Sequence, residues 1–109
     1  MSSMISPKLR ISVTAIGNTA TIFLAGYFSF AAHRDFKAAY KEQLDDSNIG
    51  EIVVNLADVK YLDSSALGML LVLREHAQAA NKPLRLSSPS SIVARTFDIA
   101  SFDKVFNIN

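Results

Sequence analysis

The run Ile52-Val53-Val54-Asn55-Leu56 carries a single polar residue, and a chain of 109 residues has room for few such segments. A strand apolar on both sides belongs in the middle of a sheet. Shortly after it, Tyr61-Leu62-Asp63-Ser64-Ser65-Ala66-Leu67-Gly68 opens the longest helical pattern in the chain. Asp and Ser side chains accept from the unpaired N–H groups of a helix's first turn, so this stretch is a helix start. A buried strand leading into a capped helix is half of a parallel crossover, which points to an α/β domain.

The flanking segments extend that pattern. Leu9, Ile11 and Val13 alternate with Arg10, Ser12 and Thr14, as in a half-buried strand. Gly17-Asn18 is a two-residue turn signal, and Thr19 to Leu24 resumes in β-favouring residues, so the pair predicts a hairpin. Gly26 to Phe30 is expected to be a loop, richer in aromatics than solubility alone requires. A helix follows from about Ala31 to Gln43, with Phe36, Ala39 and Tyr40 on one face and His33, Arg34, Lys37 and Lys41 around the rest.

After the Asp63 cap, Leu67, Leu70, Leu71, Ala77 and Ala80 keep a helical period until Asn81-Lys82-Pro83 stops it. Leu84-Arg85-Leu86 is a short strand. Ser88-Pro89 is expected to start another helix, with proline in the first turn and Ile92, Val93, Phe97 and Ile99 on its apolar side. The order ββαβαβα predicts an α/β fold with a mixed sheet: an N-terminal hairpin at one edge and parallel crossovers thereafter. Residues 1–8 are expected to be flexible, and residues 9–109 to form a single domain.

Composition removes several function classes. The 11 basic and 10 acidic residues are interspersed, for a formal charge of +1, and no basic stripe offers a nucleic-acid footprint. Cysteine is absent, which excludes thiolate chemistry and disulfides within these residues. The most apolar run, Thr19 to Ala32, is too short to span a bilayer and is interrupted by Gly26 and Ser29. Residues 1–8 lack the order of a signal peptide. A cytoplasmic protein without direct membrane insertion is expected.

Enzyme chemistry finds little support. Gly-x-Ser-x-Gly is absent, and His76 falls several helical turns beyond Ser64, which leaves a serine hydrolase as the weaker reading of that serine. His33 and Asp35 lie on different helix faces with no third ligand in register, so no metal is expected. Gly17, Gly26, Gly50 and Gly68 stand singly rather than in a phosphate cradle, and no cofactor is expected.

The serine pair has two readings. In the most economical register Asp63 is the N-cap, accepting from the N–H of Ser65 or Ala66. Ser64 is then the first helical residue, with its hydroxyl toward solvent. A helix N-terminus tolerates a phosphate there because its free N–H groups and dipole favour negative charge. On local sequence alone the stretch is either a simple cap or a phosphorylation site.

Taken together, the residues from Ile52 through Asp63-Ser64-Ser65 to Gly68 resemble the STAS domain of bacterial anti-sigma factor antagonists. There an apolar strand leads to an Asp-Ser-Ser-Gly-Leu-Gly motif whose first serine is phosphorylated. The segment Leu24 to Ala32 is similar to the family's Gly-containing loop near that site. The segment Ser88 to Phe97 looks like its last crossover helix, followed by a short strand near Lys104 to Phe106. Ala66 stands where the family has glycine, and Ser29 where it often has Asp or Thr. The chain ends at Asn109, where relatives often add a helix, so Phe102, Phe106 and Ile108 are either partly uncovered or dock by themselves.

The resemblance implies a phosphorylation-switched interaction protein. Ser64 is the expected phosphosite, with Asp63, Ser65, Ala66, Gly68, Gly26, Tyr27, Phe28 and Ser29 supporting it or binding the partner. The implied partners are a kinase-type anti-sigma factor, bound when Ser64 is unphosphorylated, and a serine phosphatase. The alternative within the same family is a subunit of a transport or signalling assembly in which Ser64 is never phosphorylated.

Overall fold

At the tip of the first hairpin Gly17 takes φ +61°, a conformation that suits a residue without a side chain. Ile16 pairs with Thr19 across this turn, so the connection is the two-residue one that the sequence predicts. The structure, a computed structural model, describes residues 8–109. The expectation of a flexible segment therefore lies, up to residue 7, outside the described residues.

The hairpin strands are β1 (Leu9–Ile16) and β2 (Thr19–Phe28). Helix α1 (His33–Asp45) leads to β3 (Glu51–Leu62), α2 (Ser64–Ala79) to β4 (Leu84–Ser87), and α3 (Ser91–Ile99) to β5 (Asn107–Ile108). The five strands lie in the order β1-β2-β3-β4-β5, with β1 antiparallel to β2 and every later pair parallel. Each crossover steps one strand in the same direction. Right-handed connections then lay all three helices on one face.

Burial agrees with that arrangement. Ile22 and Leu24 of β2, Val54 and Leu56 of β3, and Leu86 of β4 share one core with Phe36 of α1, Leu70 and Leu73 of α2, and Val93 and Phe97 of α3. The other face carries a polar ladder, in which Thr19 donates to Glu51 at 3.2 Å and Arg85 pairs with Glu51 at 3.5 Å. Val53, buried on that face, is flanked in register by Thr21 and Arg85.

Several elements differ from the sequence expectation, each for a physical reason. The segment expected as a loop from Gly26 continues β2 to Phe28, because β3 beside it also runs on, past Leu56 to Leu62. Two register shifts absorb the mismatch, between Phe23 and Ala25 and between Gly26 and Tyr27. Gly26 itself takes φ +110°, and a Cβ there would stand 2.5 Å from the Lys8 carbonyl oxygen. Helix α1 proper starts at His33, after a 3-10 turn over Phe30–Ala32.

Helix α2 buries Ala66, Met69, Leu70, Leu73 and Ala77, while Leu71 and Ala80 face outward. Its sequence is apolar on too many sides for the period alone to choose the stripe. Ser88 takes φ +54°, so α3 begins at Ser91 and Pro89 stays outside it. Val93 and Phe97 are buried at i, i+4 spacing, and Ile99 is 81% exposed. The last strand is Asn107–Ile108; Lys104 ends a 3-10 turn instead. Phe102 and Phe106 dock without a further helix, with Phe102 stacked 5.1 Å from Phe97 and 4.9 Å from Phe106.

Candidate functional site

The backbone of Asp63 is extended, at φ −104° and ψ −178°, and turns the chain from β3 into α2. Its Oδ1 accepts the N–H of Ala66 at 2.9 Å, and its carbonyl oxygen accepts from Leu67 at 3.3 Å. The cap is thus made by Asp63 alone. Ser64 is the first residue of the helix, is exposed, and no hydrogen bond among the described residues engages its hydroxyl.

Electrostatics at this point favour an added anion. Alpha-helical dipoles leave about half a positive charge at the N-terminus, and α2 is 16 residues long with no acid in its first turn. The helix start is also pinned from the neighbouring strand, since the Asp63 N–H donates to the Phe28 carbonyl at 3.2 Å. Ser65 is half-buried and turned toward α1, where it lines the groove between the two helices. Gly68 lines the same groove, and a Cβ there would meet nothing within 4 Å.

The expected upstream partners arrive at the same end of the sheet, with different exposures. Phe28 lies opposite Leu62 in the register, which brings Ser29 beside Asp63 at the ends of adjacent parallel strands. Tyr27 is exposed and sits 5.9 Å from Tyr61, ring to ring. Ser29 is half-buried, and its carbonyl accepts from Ala32 at 2.9 Å. Phe28 and Ala66, by contrast, are fully buried, and Phe28 packs edge-on against Phe36 at 5.0 Å. Both lie in the core and offer no surface to a partner.

The two histidines lie on different helices, one on α1 and one on α2. His76 is 12 residues further along α2, about 18 Å of helix axis. His33 stacks on Phe30 at 5.8 Å and lines the α1–α2 groove, while Asp35 lines a different groove, against β1. Among the described residues no group of three His, Asp or Glu could hold a metal ion. No helix of the described residues is long and apolar enough to cross a membrane.

Sequence reasoning missed the α1–α2 groove, which encloses about 350 Å³ at its Ser65 end. Its signal was present as the basic repeat His33, Lys37, Lys41 on α1 and the small or apolar Gly68 and Val72 on α2. Only the packing of the two helices brings those stripes together. At its floor burial pushes the Tyr40 phenol above its ordinary value of 10.0.

Residues 10–109 match the family model described as the STAS domain. A STAS-domain containing protein of Pseudomonas aeruginosa is 41% identical over 96 residues, covering 88% of this chain and 93% of its own length. Among solved structures, an anti-sigma factor antagonist from Mycobacterium paratuberculosis superposes with a TM-score of 0.81 at 17% identity, covering 93% of this chain and 85% of that one. The unphosphorylated form of the anti-sigma factor antagonist SpoIIAA gives 0.75 at 19% identity, with 94% and 88% covered. The phosphorylated form of SpoIIAA from Bacillus gives 0.69 at 18% identity, with 94% and 91% covered. At these identities the structural matches speak for the fold.

Proposed function

The chain belongs to the STAS domain family, and on that premise we propose that it is an anti-sigma factor antagonist switched by phosphorylation of Ser64. The observation that carries this reading is the division of labour at the helix start. Asp63 supplies the cap, leaving the exposed Ser64 hydroxyl outside every hydrogen bond of the described residues. SpoIIAA, which shares the fold at 19% identity, is known in unphosphorylated and phosphorylated forms.

In this reading the unphosphorylated protein binds a kinase-type anti-sigma factor and so frees a sigma factor. The kinase holds ATP, and the Ser64 oxygen attacks its γ-phosphorus. The hydroxyl proton passes to a base of the kinase, and ADP leaves. A serine phosphatase reverses the change with water, releasing inorganic phosphate. The domain itself performs no catalysis and acts in the cytoplasm. Phosphate adds about −1.5 to −2 charge at the docking surface. An added like charge costs a few kcal/mol at an interface, and about 1.4 kcal/mol is tenfold in affinity.

The test is incubation of the purified protein with a purified serine-kinase anti-sigma factor and ATP, followed by mass spectrometry of the peptide spanning residues 61–74. One phosphate on Ser64, absent from Ser64→Ala, is the expected result. Phosphate on Ser65 instead, or undiminished phosphate in Ser64→Ala, overturns the assignment.

A further inference from the structure

Strand β1 forms one edge of the sheet, and its outer side is unpaired among the described residues. The two-residue turn closes on a hydrogen-bonded Ile16–Thr19 pair, and the register back to Leu9 is unbroken. Arg10, Ser12, Thr14 and Ile16 therefore turn their N–H and C=O groups toward β2, while Leu9, Ile11, Val13 and Ala15 turn theirs outward. The Lys8 carbonyl accepts from Tyr27 of β2, as that alternation requires. No bulge, proline or lysine interrupts Leu9–Ile16, and its only charge is Arg10. Natural sheets commonly blunt a long edge with one of those devices. The opposite edge is blunted by length, since β5 is only Asn107–Ile108.

Beside this edge α1 leaves a groove of about 410 Å³. Leu9, Ile11 and Val13 line it from the strand, and Val13 is 37% exposed. Across from them stand Asp35 and Glu42 of α1, with Ala38 and Ala39 between, whose small side chains leave room for those of another strand. No basic residue lines the groove. One turn from Glu42 along α1 are Ala38, Ala39, Asp45 and Asp46, so its own helix offers it no cation, and it forms no ion pair among the described residues. Arg34 touches Asp35 at 4.0 Å in an exposed contact of little weight, and Arg34 itself lines a different hollow.

We propose that the outer edge of β1 takes up an extended segment of a partner protein as a further strand, with an apolar residue between two basic ones on the side facing α1. The outward N–H and C=O groups call for a strand, because only an extended backbone repeats its own groups at the same spacing. Charge complementarity selects its side chains. Asp35 and Glu42 stand about 10.5 Å apart along α1, and strand residues at i and i+4 stand about 13 Å apart on one face, within the reach of lysine or arginine. The residue between them falls over Ala38 and Ala39. An apolar strand would dehydrate both carboxylates and pair neither. A second copy of this chain is disfavoured, because pairing β1 with its twin about a two-fold axis sets one acidic rim against the other. β2 separates this edge from β3, the strand leading to Ser64, so the surface is distinct from the phosphosite.

A designed probe tests this without the natural partner. It is a cyclised β-hairpin whose free edge reads Thr-Lys-Thr-Val-Thr-Lys-Thr, the same in both directions. Cyclisation spares the cost of ordering the strand on binding. On the 15N-labelled full chain, shift changes are expected in β1 and on the side of α1 that carries Asp35 and Glu42. The lysine probe should bind at least roughly tenfold more tightly than a glutamate version, and Asp35→Asn/Glu42→Gln should erase that difference. Both positions are exposed, and circular dichroism verifies the fold. Methylating the edge-facing amides of the probe should abolish binding with the protein unaltered. Val13→Pro should do the same from the protein's side, since the N–H it removes points away from β2.

Shifts mapping elsewhere, equal binding of the two probes to wild type, undiminished binding of the methylated probe, or no binding overturn the proposal. A dimer of the chain alone in sedimentation, abolished by Val13→Pro, overturns it in favour of a second copy. Where Val13→Pro does not fold, the methylated probe decides the same question.

Discussion

The ammonium group of Lys82 lies 2.7 Å from the carbonyl oxygen of Leu44, although the two residues belong to segments 38 apart in the sequence. The same nitrogen donates to Asp46 at 2.8 Å and to Gln43 at 3.3 Å. These carbonyls close α1, whose own last turn contains no basic residue. A helix C-terminus leaves its last carbonyls unsatisfied and carries partial negative charge, so a cation answers both needs. Here it comes from the turn after α2, which ties together the two helices that wall the α1–α2 groove.

Lys82→Met keeps the side-chain stem and removes the charge and all three donors. Hydrogen bonds to charged groups contribute about 1.5–3 kcal/mol, and partial exposure places the expected loss near the lower figure. Urea denaturation measures it. Unchanged stability would mean that water caps α1 equally well.

Gly26 and Gly68 should respond to alanine in opposite directions. At Gly26 the new Cβ meets the Lys8 carbonyl oxygen at 2.5 Å with φ at +110°, and strain of this kind costs about 1–3 kcal/mol. At Gly68 the Cβ meets nothing within 4 Å, and alanine in a helix interior is favoured by about 0.5–1 kcal/mol. Thermal melts of the two variants decide the signs. Equal destabilisation would contradict the open space beside Gly68.

Asp63→Ala removes the acceptor of the Ala66 N–H and should cost about 0.5–2 kcal/mol. It should also slow phosphorylation, because Ser64 loses its fixed place at the helix start. Ser64→Ala, in contrast, should leave stability unchanged and bind a partner constitutively. Ser64→Asp should fold and bind at least roughly tenfold more weakly. Calorimetric titration against an anti-sigma factor separates the three, and equal affinities would reduce Ser64 to a helix start.

Tyr40 sets an alkaline limit. Burial disfavours its phenolate, so its folded pKa is raised above 10.0 and the folded state holds the proton more tightly than the unfolded one. Its contribution to stability is full below pH 10.0 and is lost as pH rises through the folded pKa. The melting temperature of wild type should therefore fall more steeply above that pH than that of Tyr40→Phe. Parallel curves for the two proteins would refute this.

Local chemistry made the domain's outline legible. Alternation in Leu9 to Thr14, the Gly17-Asn18 turn, the apolar run Ile52 to Leu56 and the Asp63 cap each depend on neighbours in sequence, and each element stands where they indicate. The order of those elements limits the topology to one mixed sheet, because right-handed single-step crossovers leave little choice. The resemblance to the family was read from the stretch Ile52 to Gly68, and the family model matches residues 10–109.

Whatever depended on a distant partner was decided by tertiary structure. The extension of β2 to Phe28 follows from β3, and two bulges were needed to fit them. Phe28 and Ala66 stood among residues expected either to support the site or to bind the partner, and the structure buries both, since burial depends on what packs above a residue. The stripe that α2 buries, the docking of Phe102 and Phe106, and the cap that Lys82 gives α1 all join segments remote in sequence. The spacing of His33, Lys37 and Lys41 along α1 was visible in the sequence, but a groove has two sides. Only the packing of α1 against α2 supplied the second.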